Sequence, residues 1–475
     1  MTERQRGTGG NGGSPEPCDI LVRNGYVLTL DPKRTVYPSG AVAIRGNRIA
    51  AVGRDQDLSA RFRPSTVFDA AGAPVHPGMI DCHLHSTMHL TRTAFNDDPA
   101  VTGTVSFNEW FNQLTDEDEH VSAQTAFVEM VRNGFTACME PGTAFEPDAV
   151  AAAAEAVGVR VSLADPFLWD TTDGGNASAG KINRAPATAK RALDLLGGQL
   201  WRNKDPEGRV RGHVGLYGSG SASLELELAA KKCADENGVI LNQHQNFMLE
   251  QVKIDDARFG GGHNLVRFAE VGLLDRNCTF VHMNVVREDE VPLIVRSGMS
   301  LVWQPGNYQY YNMAHKFPSR MPSLQKLGVN LTLGVDVAKI WTFGELARIA
   351  YLVARQQGEY LSSESLLAMQ TIGGARALGQ EASLGSLEVG KRADLVIRTD
   401  EVAEAVPNFN VVIQLIMLSQ SRSIDTVICD GRVLFRKGHF TRLDERVVHE
   451  SARTSARRIA SRLGISPRTT WLAVS

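Results

Sequence analysis

Apolar and polar positions change rhythm twice along this chain. From Cys18 to about Val75, short β-rich runs alternate with turn residues: DILVRNGYVLTL, GAVAIRGNRIAAVG and STVFDA, with Asn24-Gly25 and Gly46-Asn47 as hairpin-type punctuation. The pattern predicts a small all-β unit. Between residues 76 and 382, apolar runs of four to eight residues alternate with helical spacing. The runs are GMIDCHLH, FTACMEP, VRVSLADPF, RGHVGLYG, VILNQHQN, CTFVHMN, SLVWQP and NLTLGVD, eight candidate strands. Helical patterns separate most of them. Ser221 to Asn237 has serines to cap its start and Asn237-Gly238 to stop it. Thr342-x-x-Glu345 is a capping-box pattern before Phe343, Leu346, Ile349, Ala350 and Val353 at helical spacing. After residue 383 the β-rich rhythm returns in SLGSLEVGKRADLVIRTD and SIDTVICDGRVLFRKG.

Eight strand-then-helix units in roughly 300 residues match a (β/α)8 barrel; a doubly wound sheet, the competitor, usually needs fewer. The expected fold class is therefore α/β, a (β/α)8 TIM barrel inserted in a small composite β-sandwich domain. Residues 1–17 read as a disordered lead, 18–75 plus 383–440 as the discontinuous sandwich, 76–382 as the barrel, and 441–475 as a C-terminal helix and tail. The helical stretch Leu443 to Gly464 carries Arg453, Arg457, Arg458 and Arg462, the solvated face of a helix packed on the barrel or, alternatively, an oligomer contact.

Composition narrows the function class. Lys and Arg total 50 against 53 Asp and Glu, a net charge of −3, which argues against an extended nucleic-acid footprint. No run of 18 apolar residues exists, so no membrane span is expected. Cys18, Cys82, Cys138, Cys233, Cys278 and Cys429 are scattered without a CxxC, which fits a reduced, cytoplasmic setting. The lead MTERQRGTGGNGGSPEP lacks the apolar core of a signal peptide. The 44 glycines fit a chain of many short elements joined by tight turns. The expected partner is a small-molecule substrate, and a homo-oligomer, dimer or tetramer, is the base-rate assembly.

The sharpest local signal is His83-Leu84-His85 after the apolar run that begins Pro77-Gly78-Met79-Ile80. Residues two apart on a strand face the same way, so both imidazoles project together, as two ligands of one metal must. His244, His282 and Asp336 each end another apolar run, where a barrel strand delivers its C-terminal end to the active-site face. Five such positions on four strands are best explained by a nitrogen-and-oxygen metal site.

With these residues the chain resembles the amidohydrolase superfamily. The resemblance rests on PGMIDCHLH, GVDVA, ARALG, LGSLEVGKRADLVI and VICDGRVL, and covers nearly the whole chain. It implies a metal-dependent barrel hydrolase with His83, His85, His244 and Asp336 as ligands, and His282 as the residue that orients water. Binuclear members bridge two metals through a carboxylated Lys or a Glu closing strand four; Arg211 to Gly218 offers neither, so one divalent metal is expected, zinc first, with iron, cobalt or manganese as alternatives. Glu140 reads as a hydrogen-bonding residue, with metal contact the alternative, and Cys82 as a packed structural thiol.

One departure from the family pattern shapes the functional expectation. In the aminohydrolase branch the strand-five histidine opens an HxxE whose Glu protonates the heterocycle; here the segment is His244-Gln245-Asn246-Phe247. Phe247 carries no proton. The expected activity is therefore hydrolysis of an amide, urea or carbamate C–N bond, with Asp336 as proton shuttle and His282 positioning water and the oxyanion. The alternative is an aminohydrolase, a deaminase or dechlorinase, acting on a heterocycle. The segment after strand seven is expected to wall the substrate with Trp303, Asn307, Tyr308, Tyr310, Tyr311, His315 and Phe317, although ordinary loop packing would use the same aromatics. That segment and GVDVAKIWTFGE look most like the phenylurea and thiocarbamate hydrolase branch, some of whose members have Asn where this chain keeps His83.

Overall fold

The computed structural model of the chain describes residues 14–95, 97, 105–170, 182–185, 188–218, 220–337, 339–419 and 421–465. Most of the expected N-terminal lead, residues 1–13, and the tail beyond 465 lie outside the described residues.

Five strands open the chain: β1 (Glu16–Leu28), β2 (Val36–Arg45), β3 (Arg48–Arg54), β4 (Phe62–Asp69) and β5 (Pro74–Pro77). Nine short segments follow: β6 (Met79–Asp81), β7 (Phe135–Glu140), β8 (Arg160–Leu163), β9 (Val210–Gly212), β10 (Val214–Gly218), β11 (Leu241–Gln245), β12 (Cys278–His282), β13 (Ser300–Trp303) and β14 (Asn330–Leu333). The last four are β15 (Leu395–Arg398), β16 (Ile424–Cys429), β17 (Arg432–Arg436) and β18 (His439–Phe440).

Strands from both ends of the chain share one nine-stranded sheet, ordered β18-β17-β16-β15-β5-β1-β2-β3, with β4 parallel to β1. The junction is β5, which pairs in parallel with β1 and antiparallel with β15, so this sheet runs to Pro77, past the expected boundary at 75. Hydrogen bonding makes it one sheet. Val22, Val27, Val42, Ile44, Leu395 and Ile397 all enter a single apolar cluster enclosed by its strands.

Asn24-Gly25 is a correction to the hairpin expectation. Both residues lie inside β1, where Asn24 adopts a left-handed φ of 53° and the register against β2 shifts between Val22 and Gly25. The pair makes a bulge because a Cβ on Gly25 would meet Val75 Cγ2 at 2.7 Å, so the glycine lets β5 approach. Gly46-Asn47 does join β2 to β3.

The middle strands form two parallel sheets, β6-β7-β8-β9 and β10-β11-β12-β13-β14. Only His213 separates β9 from β10, and its N–H donates to Leu163 O at 2.9 Å while Val214 donates to Ile240 O at 3.2 Å. At the other edge, Cys82 N donates to Leu333 O at 3.2 Å and Asp336 N to His83 O at 2.7 Å. Helices connect the strands and are punctuated as sequence chemistry demands. Thr115 and Asp118 form a capping box on Asp116–Arg132, and Ser223 caps Leu224–Asn237, which Gly238 ends at φ 62°. The C-terminal helix, Glu445–Leu463, lies on Asp116–Arg132, where Glu445 pairs with Arg132 and Arg458 with Asp118.

One buried ion cluster joins the two parts. Arg160, on β8, bonds Asp394 Oδ2 at 2.8 Å and Asp430 Oδ1 at 2.6 Å, both carboxylates belonging to the segment that returns to the nine-stranded sheet. The six cysteines are free thiols, and among the described residues no helix is long and apolar enough to cross a membrane.

Candidate metal centre

The C-terminal ends of β6, β11, β12 and β14 deliver the sequence-expected residues to one point. His83 and His85 follow β6 in an extended segment, His244 lies on β11, His282 closes β12, and Asp336 follows β14 in an isolated parallel bridge to Leu84. The ring centroid of His83 is 4.6 Å from that of His85, 4.8 Å from His244 and 5.6 Å from His282. His85 Nε2 lies 3.4 Å from Asp336 Oδ1, and His282 Nδ1 lies 4.0 Å from Asp336 Oδ2. Ligand atoms of His83, His85 and His244, and of His83, His282 and Asp336, lie within 4.8 Å of one another.

The donor set fits a metal. Both nitrogens of His83 are buried and without a hydrogen-bond partner, a state that is costly unless something else takes the lone pair. The other imidazoles are oriented from behind. His244 Nδ1 lies 2.9 Å from Tyr217 O, a carbonyl that only accepts, so this nitrogen carries the proton and Nε2 keeps its lone pair. Thr143 Oγ1 donates to Glu140 Oε1 at 2.6 Å and therefore accepts from His85 Nδ1 at 2.8 Å, which again frees Nε2. Glu140 thus sits in a hydrogen-bond network behind His85, and burial raises its carboxyl to about 7. Burial also drives His85 and His282 down to about 3 and His83 well below its ordinary value, with the neighbouring imidazoles adding to the effect. Neutral imidazoles are the form that binds a metal.

Asp336 is held ionised. Burial opposes its charge, but His85, Lys339, His282 and the Val337 N–H outweigh that and lower its pKa. Its Oδ2 accepts from Asn307 Nδ2 at 2.6 Å and its Oδ1 from Val337 N at 2.6 Å. His282 and Asp336 both sit at left-handed φ, 72° and 61°, backbone strain of a kind concentrated at functional sites. Asp81 clamps the two strand ends together, accepting from His83 N at 3.0 Å and from Val335 N at 2.9 Å.

A cavity of about 230 Å³ opens over these groups, with His85, His244, His282 and Asp336 in its floor. Of the expected substrate wall, it reaches Asn307 and Tyr311 only. Trp303 is fully buried on β13, because it packs into the core below the strand ends. The segment after it winds into helices Pro305–Tyr310 and Met313–Lys316. This winding turns Tyr308 into the core, its hydroxyl donating to Phe317 O at 2.7 Å. Phe317 packs against the same core, and His315 is exposed on the second helix. Tyr310 stands behind Tyr311 and Trp341. The rest of the wall includes Met88, Phe107, Phe111, Phe247, Val337 and Lys339. Lys339 had one legible cue, its place three residues after Asp336 at a strand's C-terminal end. His89 does not line the cavity and pairs with Glu129 at 3.0 Å; His213 is buried with Nδ1 2.9 Å from Ser162 Oγ. A second cavity, about 430 Å³ between the β1–β2 connection and the Asn330–Gly373 region, is lined by neither histidine nor cysteine among the described residues.

Residues 75–434 match the Amidohydrolase family, and the chain belongs to it. The 5'-deoxyadenosine deaminase of Methanosarcina acetivorans is 28% identical over 462 residues, covering 94% of this chain and 99% of that protein. A 5-methylthioadenosine/S-adenosylhomocysteine deaminase of Syntrophobacter fumaroxidans is 29% identical over 459 residues, covering 93% and 98%. Among solved structures, an adenosine deaminase from Xanthomonas campestris with bound zinc superposes with a TM-score of 0.82 at 25% identity, over 94% of this chain and 100% of that one. The atrazine chlorohydrolase of Arthrobacter aurescens TC1 complexed with zinc gives 0.80 at 21%, over 92% and 100%, a likeness of fold. This chain is a metal-dependent hydrolase acting on C–N bonds of non-peptide substrates.

Proposed function

We propose that the chain is an aminohydrolase: it replaces an amino group, or an equivalent leaving group, on a flat heterocycle by hydroxyl from water. The observation that carries the site is His83, whose two buried, unpartnered nitrogens stand among His85, His244, His282 and Asp336. The deaminase relatives matched along nearly their whole length support the heterocycle reading over the urea and carbamate reading of the sequence. The two parallel sheets are read together as a (β/α)8 barrel of residues 76–382, the nine-stranded sheet as its companion domain, and the strand ends as its active face.

His83, His85, His244 and Asp336 would hold one divalent metal, zinc by analogy with the solved structures. Such a metal lowers the pKa of water and polarises the bond under attack. Asp336, steadied at Oδ2 by Asn307, takes the proton of the attacking water and passes it to the departing nitrogen. His282, whose backbone N–H donates to Gln304 Oε1 at 3.1 Å, faces Asp336 and positions the water. Phe247, Tyr311 and Phe107 supply flat apolar wall, Phe247 lying 4.3 Å from the His282 ring.

Phe247 also favours a second reading, hydrolysis of an aryl urea, carbamate or amide, because it occupies the site of the family's ring-protonating Glu. The test is a panel of aminated and chlorinated heterocycles against aryl ureas and anilides, run on zinc-quantified protein with ammonia, chloride and arylamine each measured. Release of ammonia or chloride from heterocycles supports the proposal; turnover of ureas alone overturns it. Asp336→Asn is expected to remove turnover while the chain still folds.

A further inference from the structure

Lys339 is buried, with only 5% of its surface exposed, and is among the residues that line the cavity over the metal centre. It stands in a cage of four rings, at 5.5 Å from Phe107, 5.3 Å from Tyr310, 5.2 Å from Tyr311 and 5.5 Å from Trp341. Its acceptors are Asn307 Oδ1 at 3.2 Å and Val337 O at 3.5 Å, both neutral and both long. An ammonium has three N–H donors, so one remains. Among the described residues no carboxylate lies within ion-pairing distance of it; Asp336 spends its Oδ2 on the other end of the Asn307 amide. Rings offset part of the desolvation of a cation, but they offer no localised negative charge. A buried cation in this state is expected at a place that a ligand completes.

The charges of the cavity point the same way. Among its described lining residues, only Asp336 and Lys339 carry charge. These cancel, so a divalent metal at the histidines leaves the cavity with a positive excess. Burial lowers the Lys339 ammonium to about 8, which keeps it charged at neutral pH.

We propose that Lys339 is the specificity-determining residue of this site, selecting a flat aromatic or heteroaromatic ring that carries an anionic oxygen, a carboxylate or an ionised ring hydroxyl. The proposal rests on the reading of the cavity as the substrate site. Phe107 and Tyr311, which border both the cavity and the ammonium, hold the ring, and the free N–H of Lys339 meets its oxygen. The adenine ring of the relatives' substrates has no such oxygen, so this residue would separate the chain from them in substrate choice.

The test is calorimetric titration of zinc-loaded protein with benzoate and with benzamide, its neutral isostere, on the wild type, Lys339→Met and Lys339→Arg, with zinc quantified in each. The wild type is expected to prefer benzoate at least tenfold. Lys339→Met should reduce that preference to threefold or less while benzamide affinity stays within threefold, and Lys339→Arg should keep most of it. A preference unchanged in Lys339→Met would mean that the metal alone holds the carboxylate, and overturns the proposal. So does a wild type without preference, or a Lys339→Met that loses both ligands together, as a purely structural residue would. In the substrate panel, ammonia release confined to neutral heterocycles overturns the role of Lys339 and leaves the aminohydrolase standing; turnover of ureas alone does the reverse.

Discussion

Gly334 lies against His83 so closely that a Cβ on it would sit 2.6 Å from His83 Cβ and 3.0 Å from its backbone nitrogen. The glycine is therefore a matter of close approach: β14 comes near enough for Asp336 N to reach His83 O at 2.7 Å only because residue 334 has no side chain. Gly334→Ala must push the two strand ends apart, at an overpacking cost of about 1–3 kcal/mol. The expected result is a protein that still folds but retains less than half the zinc of the wild type after dialysis, read by elemental analysis beside a thermal melt. Full zinc occupancy would show that the His83–Asp336 spacing is not what defines the centre.

Thr143 gives a second, finer test of the same centre. Valine has its shape without the hydroxyl, so Thr143→Val leaves His85 Nδ1 without its acceptor at 2.8 Å and Glu140 Oε1 with the Thr143 backbone N–H at 3.0 Å in place of the hydroxyl at 2.6 Å. Loss of such an orienting partner weakens metal binding roughly 10- to 100-fold. Competition with a chelator of known affinity measures it, and an unchanged constant would detach the Glu140 network from metal binding.

How much of this was legible beforehand depended on whether a residue's role is local. His83, His85, His244, His282 and Asp336 each end an apolar run, and a parallel strand presents its C-terminal residue at the same face whatever surrounds it; all five converge. The helix caps at Ser223 and Thr342 were readable for the same reason, since a cap is settled within four residues. Asn24-Gly25 was misread because its bulge is dictated by Val75, 50 residues away in sequence, and dipeptide chemistry contains no such neighbour. The aromatic segment after β13 failed likewise. Tyr308 and Phe317 have the composition of a substrate wall, but the helix Pro305–Tyr310 turns Tyr308 inward, where its hydroxyl is satisfied by Phe317 O. Lys339 was missed because a lysine after a strand reads as solvated, and only tertiary structure closes four rings around it.

Arg160 tests the joint between the two parts of the chain. It is 6% exposed, and its partners Asp394 and Asp430 are 5% and 7% exposed, so none of the three charges can turn to water. Arg160→Met leaves Asp394 buried without its cation, while Asp430 keeps Arg209 at 3.7 Å and Arg392 at 3.6 Å, and breaking a buried pair from one side costs about 3–5 kcal/mol. The expected outcome is a lower melting midpoint, together with faster proteolysis in the segment around Asp394 and Asp430. If both are unchanged, the contact between the nine-stranded sheet and β8 does not depend on this cluster.

Lys339 links function to stability through pH. Its ammonium is lowered from the ordinary 10.5 to about 8, first by burial, with Asp336 opposing. Between those two values the unfolded chain binds the proton more readily than the folded one, so stability rises with pH from about 8 to 10.5, and the penalty is fully present below 8. At about 1.36 kcal/mol per pH unit the gap corresponds to at most ~3 kcal/mol. Of the groups facing the ammonium, His85 and His282 are neutral above about 3, Asp336 is already ionised, and burial raises the Tyr311 hydroxyl, so none of these four changes charge in that window. Lys339→Met is therefore expected to melt at a higher temperature than the wild type at pH 7, with the difference shrinking toward pH 10.5. The wild type's preference for benzoate over benzamide should fall over the same range as the ammonium loses its proton. A variant whose advantage over the wild type is no larger at pH 7 than at pH 10.5, together with a wild-type benzoate preference flat across pH 8, would mean that the ammonium is solvated and the cage of rings is not closed around it.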